Sequence, residues 1–111
     1  MDNVAIAVRD LDSAVAFFTD LGLTVLGRDT VSGEWSDMAV DLDDNLVKMA
    51  MLQTPDNQAR IELFEYIHPE ANEVEPARPN DIGMHRVAFQ VDDIDDALAI
   101  AASHGCYPLR G

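Results

Sequence analysis

At 111 residues the chain is long enough for one hydrophobic core and too short for a second full domain. Its 21 acidic and 7 basic side chains leave a formal net charge of −14, which repels phosphate backbones and anionic bilayers and argues against nucleic acid or membrane as a partner. No apolar run approaches the ~20 residues that span a bilayer, and the first residues are no secretory signal, so a cytoplasmic globular protein is expected. A single cysteine, Cys106, excludes an internal disulfide and reads as a small packing residue.

Val4, Ile6 and Val8 alternate as in a half-buried strand. Asp10 then caps a helix whose apolar stripe is Leu11, Ala14, Val15, Phe18 and Leu21, and Gly22 ends it. Leu23 to Val31 is rich in strand formers, whereas Gly33 to Val40 is ambiguous, with a short helical excursion around Trp35 as one solution. The acidic run Asp41 to Asp44 has a superficial likeness to a calcium loop, but Leu46 and Leu52 stand where that loop needs glycine and glutamate, so a solvated turn is expected. Two further strands, Leu46 to Gln53 and Ala59 to Ile67, flank the turn signal of Thr54, Pro55, Asp56 and Asn57. His68 to Gly83, with three prolines and many acids, reads as a connector.

The chain then repeats itself. DNVAIAVRDLDSAVAFFTDLG returns as HRVAFQVDDIDDALAIAASHG, every residue displaced by 83 positions, from Val4 to Val87. Val87, Phe89 and Val91 form the second strand pattern, Asp93 the second cap, Ile94, Ala97, Leu98 and Ala101 the second stripe, and Gly105 the second stop. The expected organisation is one α+β domain over 1–111: a first βαβββ unit over 1–67, a connector over 68–83 and the start of a second unit over 84–111. The second copy ends after strand, helix and the beginning of one more strand, so a truncated sequence is expected, or a second chain that supplies the missing strands.

With VAIAVRDLDSAVAFFTDLGL at the start, ARIELFEY in the middle and HRVAFQVDDIDDALA near the end, the chain resembles the vicinal oxygen chelate superfamily. Glyoxalase I, bleomycin-resistance proteins, methylmalonyl-CoA epimerase and extradiol dioxygenases belong to it. The resemblance implies paired βαβββ modules curling into a half-barrel around a metal or substrate, and a homodimer. It also implies, in the metal-dependent members, a histidine on the first strand of each module and a glutamate on the fourth. Glu62 matches the glutamate, whereas Asn3 and Arg86 stand at the histidine positions, with His85 one residue earlier. An amide is a poor ligand for zinc, nickel, manganese or iron, and a guanidinium binds none of them. A site without metal is therefore the favoured expectation, and a divalent transition metal held by Glu62 and His85 the alternative.

Strand parity sketches the cleft. If Asn3 and Arg86 face inward, so do Ala5, Ala7, Glu62, Phe64, Tyr66, Ala88 and Gln90, while Ile6, Ile61, Leu63, Val87 and Phe89 lie beneath the helices. Asn3, Glu62, Phe64, Tyr66, Arg86 and Gln90 are the candidate binding residues for a small, anionic organic molecule, and Glu62 is the candidate catalytic group. Arg86 either pairs with Glu62 across the cleft or receives a carboxylate or phosphate of the ligand. Two functions follow: sequestration of a small molecule without metal, or a metal-dependent lyase, epimerase or dioxygenase using Glu62 with His85.

Overall fold

The computed structural model describes residues 1–110; Gly111, the last residue of the expected second unit, lies outside them. β1 (Val4–Ala7), α1 (Leu11–Asp20), β2 (Thr24–Ser32), α2 (Glu34–Val40), β3 (Leu46–Gln53) and β4 (Arg60–His68) precede a long connection to α3 (Ile94–Ser103). The strands form one sheet in the order β1-β4-β3-β2. β2, β3 and β4 are antiparallel neighbours, β2 and β3 connected through α2 and β3 and β4 by the turn at 54–59, while β1 pairs parallel to β4, Val4 opposite Ile61 and Ala7 opposite Phe64. The fold class is α+β, as the sequence predicts.

One face of the sheet is dry because alternate residues of three strands and one helix supply it. Ala50, Leu52, Ile61 and Leu63 meet Leu11, Val15 and Leu23, all buried, with Ile6, Val8 and Phe18 packed around them. Burying a leucine such as Leu63 stabilises by about 1.5–3 kcal/mol relative to leaving it in water. α1 is fastened at its start from two directions. Asp10 accepts from Ser13 N at 3.1 Å, and Glu65 on β4 reaches up to accept from Leu11 N at 2.8 Å. Two of the helix's otherwise unpaired N–H groups are thereby satisfied.

The repeat is visible as geometry. α3 starts and stops 83 residues after α1, its cap Asp93 has φ −135° against −138° for Asp10, and Gly22 and Gly105 both have positive φ. The packing differs, however. α1 buries Leu11 and Val15 against the sheet, whereas α3 buries no residue fully and rests on α1, where the His104 ring lies edge-on to Phe17 at 5.4 Å and bonds Asp20 at 2.7 Å.

The expected strand at Val87 to Val91 does not form: those residues make no ladder hydrogen bonds to β1. A strand exists only by pairing, and a cleft of about 440 Å³, lined by Val4, Ala5, Met84, Arg86 and Val87, separates this segment from the free edge of β1.

Candidate functional site

The sheet face turned away from α1 is open. Register places Ala5 beside Glu62, Glu62 beside Met51, Phe64 beside Met49 and Tyr66 beside Val47, so Glu62, Phe64 and Tyr66 share this face with alternate residues of β3. On β2 a register shift between Val25 and Gly27 absorbs Leu26, bringing Gly27, Asp29 and Val31 onto the same face. α2 folds over one end, covers Val47 and leaves Trp35 at the rim.

Glu62 is the half-buried carboxylate at the centre. Asn3, the residue before β1, donates its side-chain N–H to Glu62 Oε2 at 3.0 Å, and the same nitrogen lies 3.9 Å from Met51 Sδ. The amide engages one carboxylate oxygen and leaves Oε1 without a hydrogen-bond partner among the described residues. Two lobes meet at Glu62. One of about 360 Å³ runs along Gly27, Asp29 and Met51; the other, of about 210 Å³, runs under α2 between Val31, Trp35, Met49, Phe64 and Tyr66. Phe64 and Tyr66 meet edge to face, centroids 5.6 Å apart.

α2 is locked where it stands. Gly33 adopts φ 109°, a conformation open to glycine, and turns the chain from β2 into the helix. Ser36, buried, donates to Asn45 Oδ1 at 2.9 Å. Asp37 accepts from Asn45 N at 2.9 Å, from Asp44 N at 3.1 Å and from the Asn45 amide, and the backbone N–H of Asn45 is the main cause holding its carboxyl below the ordinary range. The acidic loop after α2 is thus a turn clasped by Asp37, with Asp41 and Asp44 in the left-handed region.

Four of the six candidate binding residues, Asn3, Glu62, Phe64 and Tyr66, come together on this face. Arg86 and Gln90 do not join them: Arg86 is exposed on the far side of β1 and pairs with no carboxylate among the described residues, and Gln90 lines a separate recess with Leu21 and Pro55. The ion pair between Arg86 and Glu62 is not formed; Glu62 is engaged by Asn3 instead. His85 turns its Nε2 to the Asp81 carbonyl. Trp35, Val31 and Met49 are lining residues that strand parity did not single out. Gly33 ahead of a short amphipathic run was the signal for Trp35.

The donor set bears on the metal that the superfamily often uses. Among the described residues no group of three or more His, Cys, Asp or Glu side chains converges, and the donors at hand are Glu62 and the Asn3 amide. Two oxygens do not make the closed or open four-coordinate set of a transition metal, so the described residues do not fit one by themselves.

A family model described as the glyoxalase/bleomycin resistance protein/dioxygenase superfamily matches residues 2–110. The chain belongs to that superfamily. Within it, a glyoxalase family protein from Bacillus cereus superposes with a TM-score of 0.90 at 40% identity, covering 95% of this chain and 71% of that one. A relative from an Actinomyces species named 2-epi-5-epi-valiolone epimerase is 36% identical over 99 residues, 86% of this chain. The chain spans about half, 53%, of that relative's length. No helix among the described residues is long and apolar enough to cross a membrane.

Proposed function

We propose that the open sheet face is the wall of a small-molecule cleft in an epimerase-type protein, and that Glu62 moves a proton to and from a carbon beside a ketone. The observation that carries this reading is the half-buried Glu62 carboxylate, held by Asn3 at 3.0 Å where two lobes meet. The epimerase named above supports it, since inverting a centre beside a ketone is proton-transfer chemistry. Glu62 takes the α-proton, the C–H electron pair passes to the carbonyl oxygen as an enolate, and return of a proton to the opposite face of that carbon completes the inversion. Glu62 and Tyr66 stand four residues apart on one strand, about 13 Å, so both approach from one wall and Tyr66 does not share the reacting carbon. The proton for the opposite face comes from water on the open side of the cleft, and Glu62 then returns the abstracted proton to solvent.

Deuterium exchange tests the reading. Ring ketones incubated with the protein in D2O should exchange their α-hydrogens, and Glu62→Gln should slow that exchange at least about 100-fold while binding persists. Equal exchange by Glu62→Gln and the parent protein overturns it. Sequestration without chemistry is the second reading, favoured by Asn3 at the histidine position, and predicts tight binding with no exchange at all. A cytoplasmic location and assembly as a homodimer complete the proposal. The dimer accords with the exposed apolar residues Ile94 and Leu98 of α3, and sedimentation tests it.

A further inference from the structure

We infer that the lobe under α2 selects a substrate with an uncharged hydrocarbon ring, and that Trp35 is the residue that recognises it. The inference rests on the proton-transfer reading of Glu62 and adds the substrate class. Its basis is what the lobe offers and what it withholds. Val31, Val40, Met49, Phe64 and the rings of Trp35 and Tyr66 supply its walls; Ser36 Oγ is already committed to Asn45 at 2.9 Å, which leaves the Tyr66 hydroxyl and the Glu62 carboxylate as its polar groups. A ring hydroxylated at most of its carbons finds only those two groups there and leaves its other hydroxyls without partners, a loss worth tenfold or more in affinity. A hydrocarbon ring loses nothing.

Size agrees: about 210 Å³ exceeds the ~150 Å³ of an apolar cavity that holds benzene, leaving room for a ring and a small substituent. Charge agrees too. The cleft carries Glu62 and Asp29; its cation, Arg28, is paired with Asp12 at 2.6 Å, and Arg86, the cation expected to receive an anionic ligand, lies beyond β1, so a carboxylate or phosphate on the substrate meets repulsion here. With the ring under α2, its carbonyl-bearing edge faces Glu62 and polar substituents extend into the lobe of Gly27, Asp29 and Met51.

Trp35 is suited to discriminate because it is placed before the ligand arrives. Gly33 fixes the turn, with an ideal Cβ there 3.8 Å from Trp35 Cδ1, and the bonds of Ser36 and Asp37 to Asn45 anchor the two residues that follow. Yet the side chain is 68% exposed, an indole held at the rim with one face free. It is also the only tryptophan in the chain, so its emission reports this lobe alone.

The experiment compares two ring ketones, 2-methylcyclohexanone and inosose, a pentahydroxycyclohexanone, by tryptophan emission and calorimetry. The apolar ketone should shift Trp35 emission to shorter wavelength and bind at least tenfold more tightly than inosose. Trp35→Ala should weaken it at least tenfold by calorimetry with an unchanged melting curve, and Trp35→Phe should recover part of the loss. Inosose binding equally or more tightly, or 2-methylcyclohexanone binding unchanged in Trp35→Ala, overturns the inference. So does a blue-shifted emission without ligand that follows protein concentration, since a second copy would then cover Trp35. Glu62→Gln separates the two readings: retained binding of 2-methylcyclohexanone without α-exchange in any variant removes the chemistry and keeps the recognition, whereas exchange with inosose alone does the reverse.

Discussion

On the proposed reading, Asn3 changes the job of the site without moving it. Where metal-dependent relatives are expected to carry imidazole, this chain has an amide that donates to Glu62. A donor on Oε2 orients the carboxylate and competes with any cation for it. Asn3→Ala should therefore leave ligand binding close to the parent value but cut α-deuterium exchange about tenfold, because a freely rotating Glu62 spends less time aimed at the carbon. NMR of the exchanging ketone measures it, and equal rates would mean that the Asn3 bond has no positioning role. Glu65, three residues further along β4, faces the other side and holds the start of α1, so two carboxylates on β4 have separate duties set by parity alone.

At the scale of elements the two copies of the strand and helix offer a paired experiment. Gly22 has φ 108°, and a Cβ there would approach Pro55 Cγ to 3.3 Å; Gly105 has φ 77° with nothing within 4 Å. Gly22→Ala should cost about 1–3 kcal/mol, and Gly105→Ala about 1 kcal/mol, in urea unfolding at constant m-value. Equal costs would mean that backbone conformation alone decides, without the contact to Pro55. The helices, their caps and their glycine stops were legible in the sequence because each is a local device: an aspartate, a 3.6-residue stripe, a glycine. β3 was legible to its ends, Leu46 and Gln53, because charge and turn residues bracket it. The strand expected at Val87 to Val91 was not, since alternation shows which face a residue prefers but not whether a neighbour lies within hydrogen-bonding distance. For the same reason parity grouped Asn3 with Glu62 and also grouped Arg86 and Gln90, which the fold sends elsewhere. α2 was half-legible, its helical period being barely two turns.

The whole molecule is open on one side. Its radius of gyration is 15.4 Å, against about 13 Å for a filled globule of this length, and its extents are 46 × 31 × 26 Å. A charge of −14 acts on that frame at neutral pH. Raising sodium chloride from about 10 mM to about 150 mM shortens the screening length from ~30 Å to ~8 Å and should raise the melting temperature, as differential scanning calorimetry would show; a fall would mean that ion pairs such as Arg28 with Asp12 outweigh the repulsion. Acid works the other way. Asp10, Asp37, Asp56 and Glu73 are held below their ordinary values, chiefly by hydrogen bonds from Ser13, Asn45, Thr54 and Arg9 respectively. Carboxyls depressed in the folded state add stability above their unfolded value, near pH 4, and lose it as pH falls through the folded one. Melting curves should therefore drop below about pH 4, and a melting temperature constant down to pH 2 would mean that these bonds add nothing.

The parallel pairing of β1 with β4 joins Val4 to Ile61, far apart along the chain, whereas β3 and β4 are linked by a turn and β2 and β3 by the nearer excursion through α2. Closing the long loop is slower than zipping hairpins, so the three-stranded meander should form first and β1 should dock last. Asn3 precedes β1 and Glu62 lies within β4, which makes the central hydrogen bond of the cleft a product of that final docking. Pulse-labelled hydrogen exchange, protecting β3 and β4 before β1, would record the order, with simultaneous protection counting against it. On the proton-transfer reading, a newly made chain thus carries its carboxylate unaimed until β1 docks, and the wall of the cleft gains its orientation only with that strand.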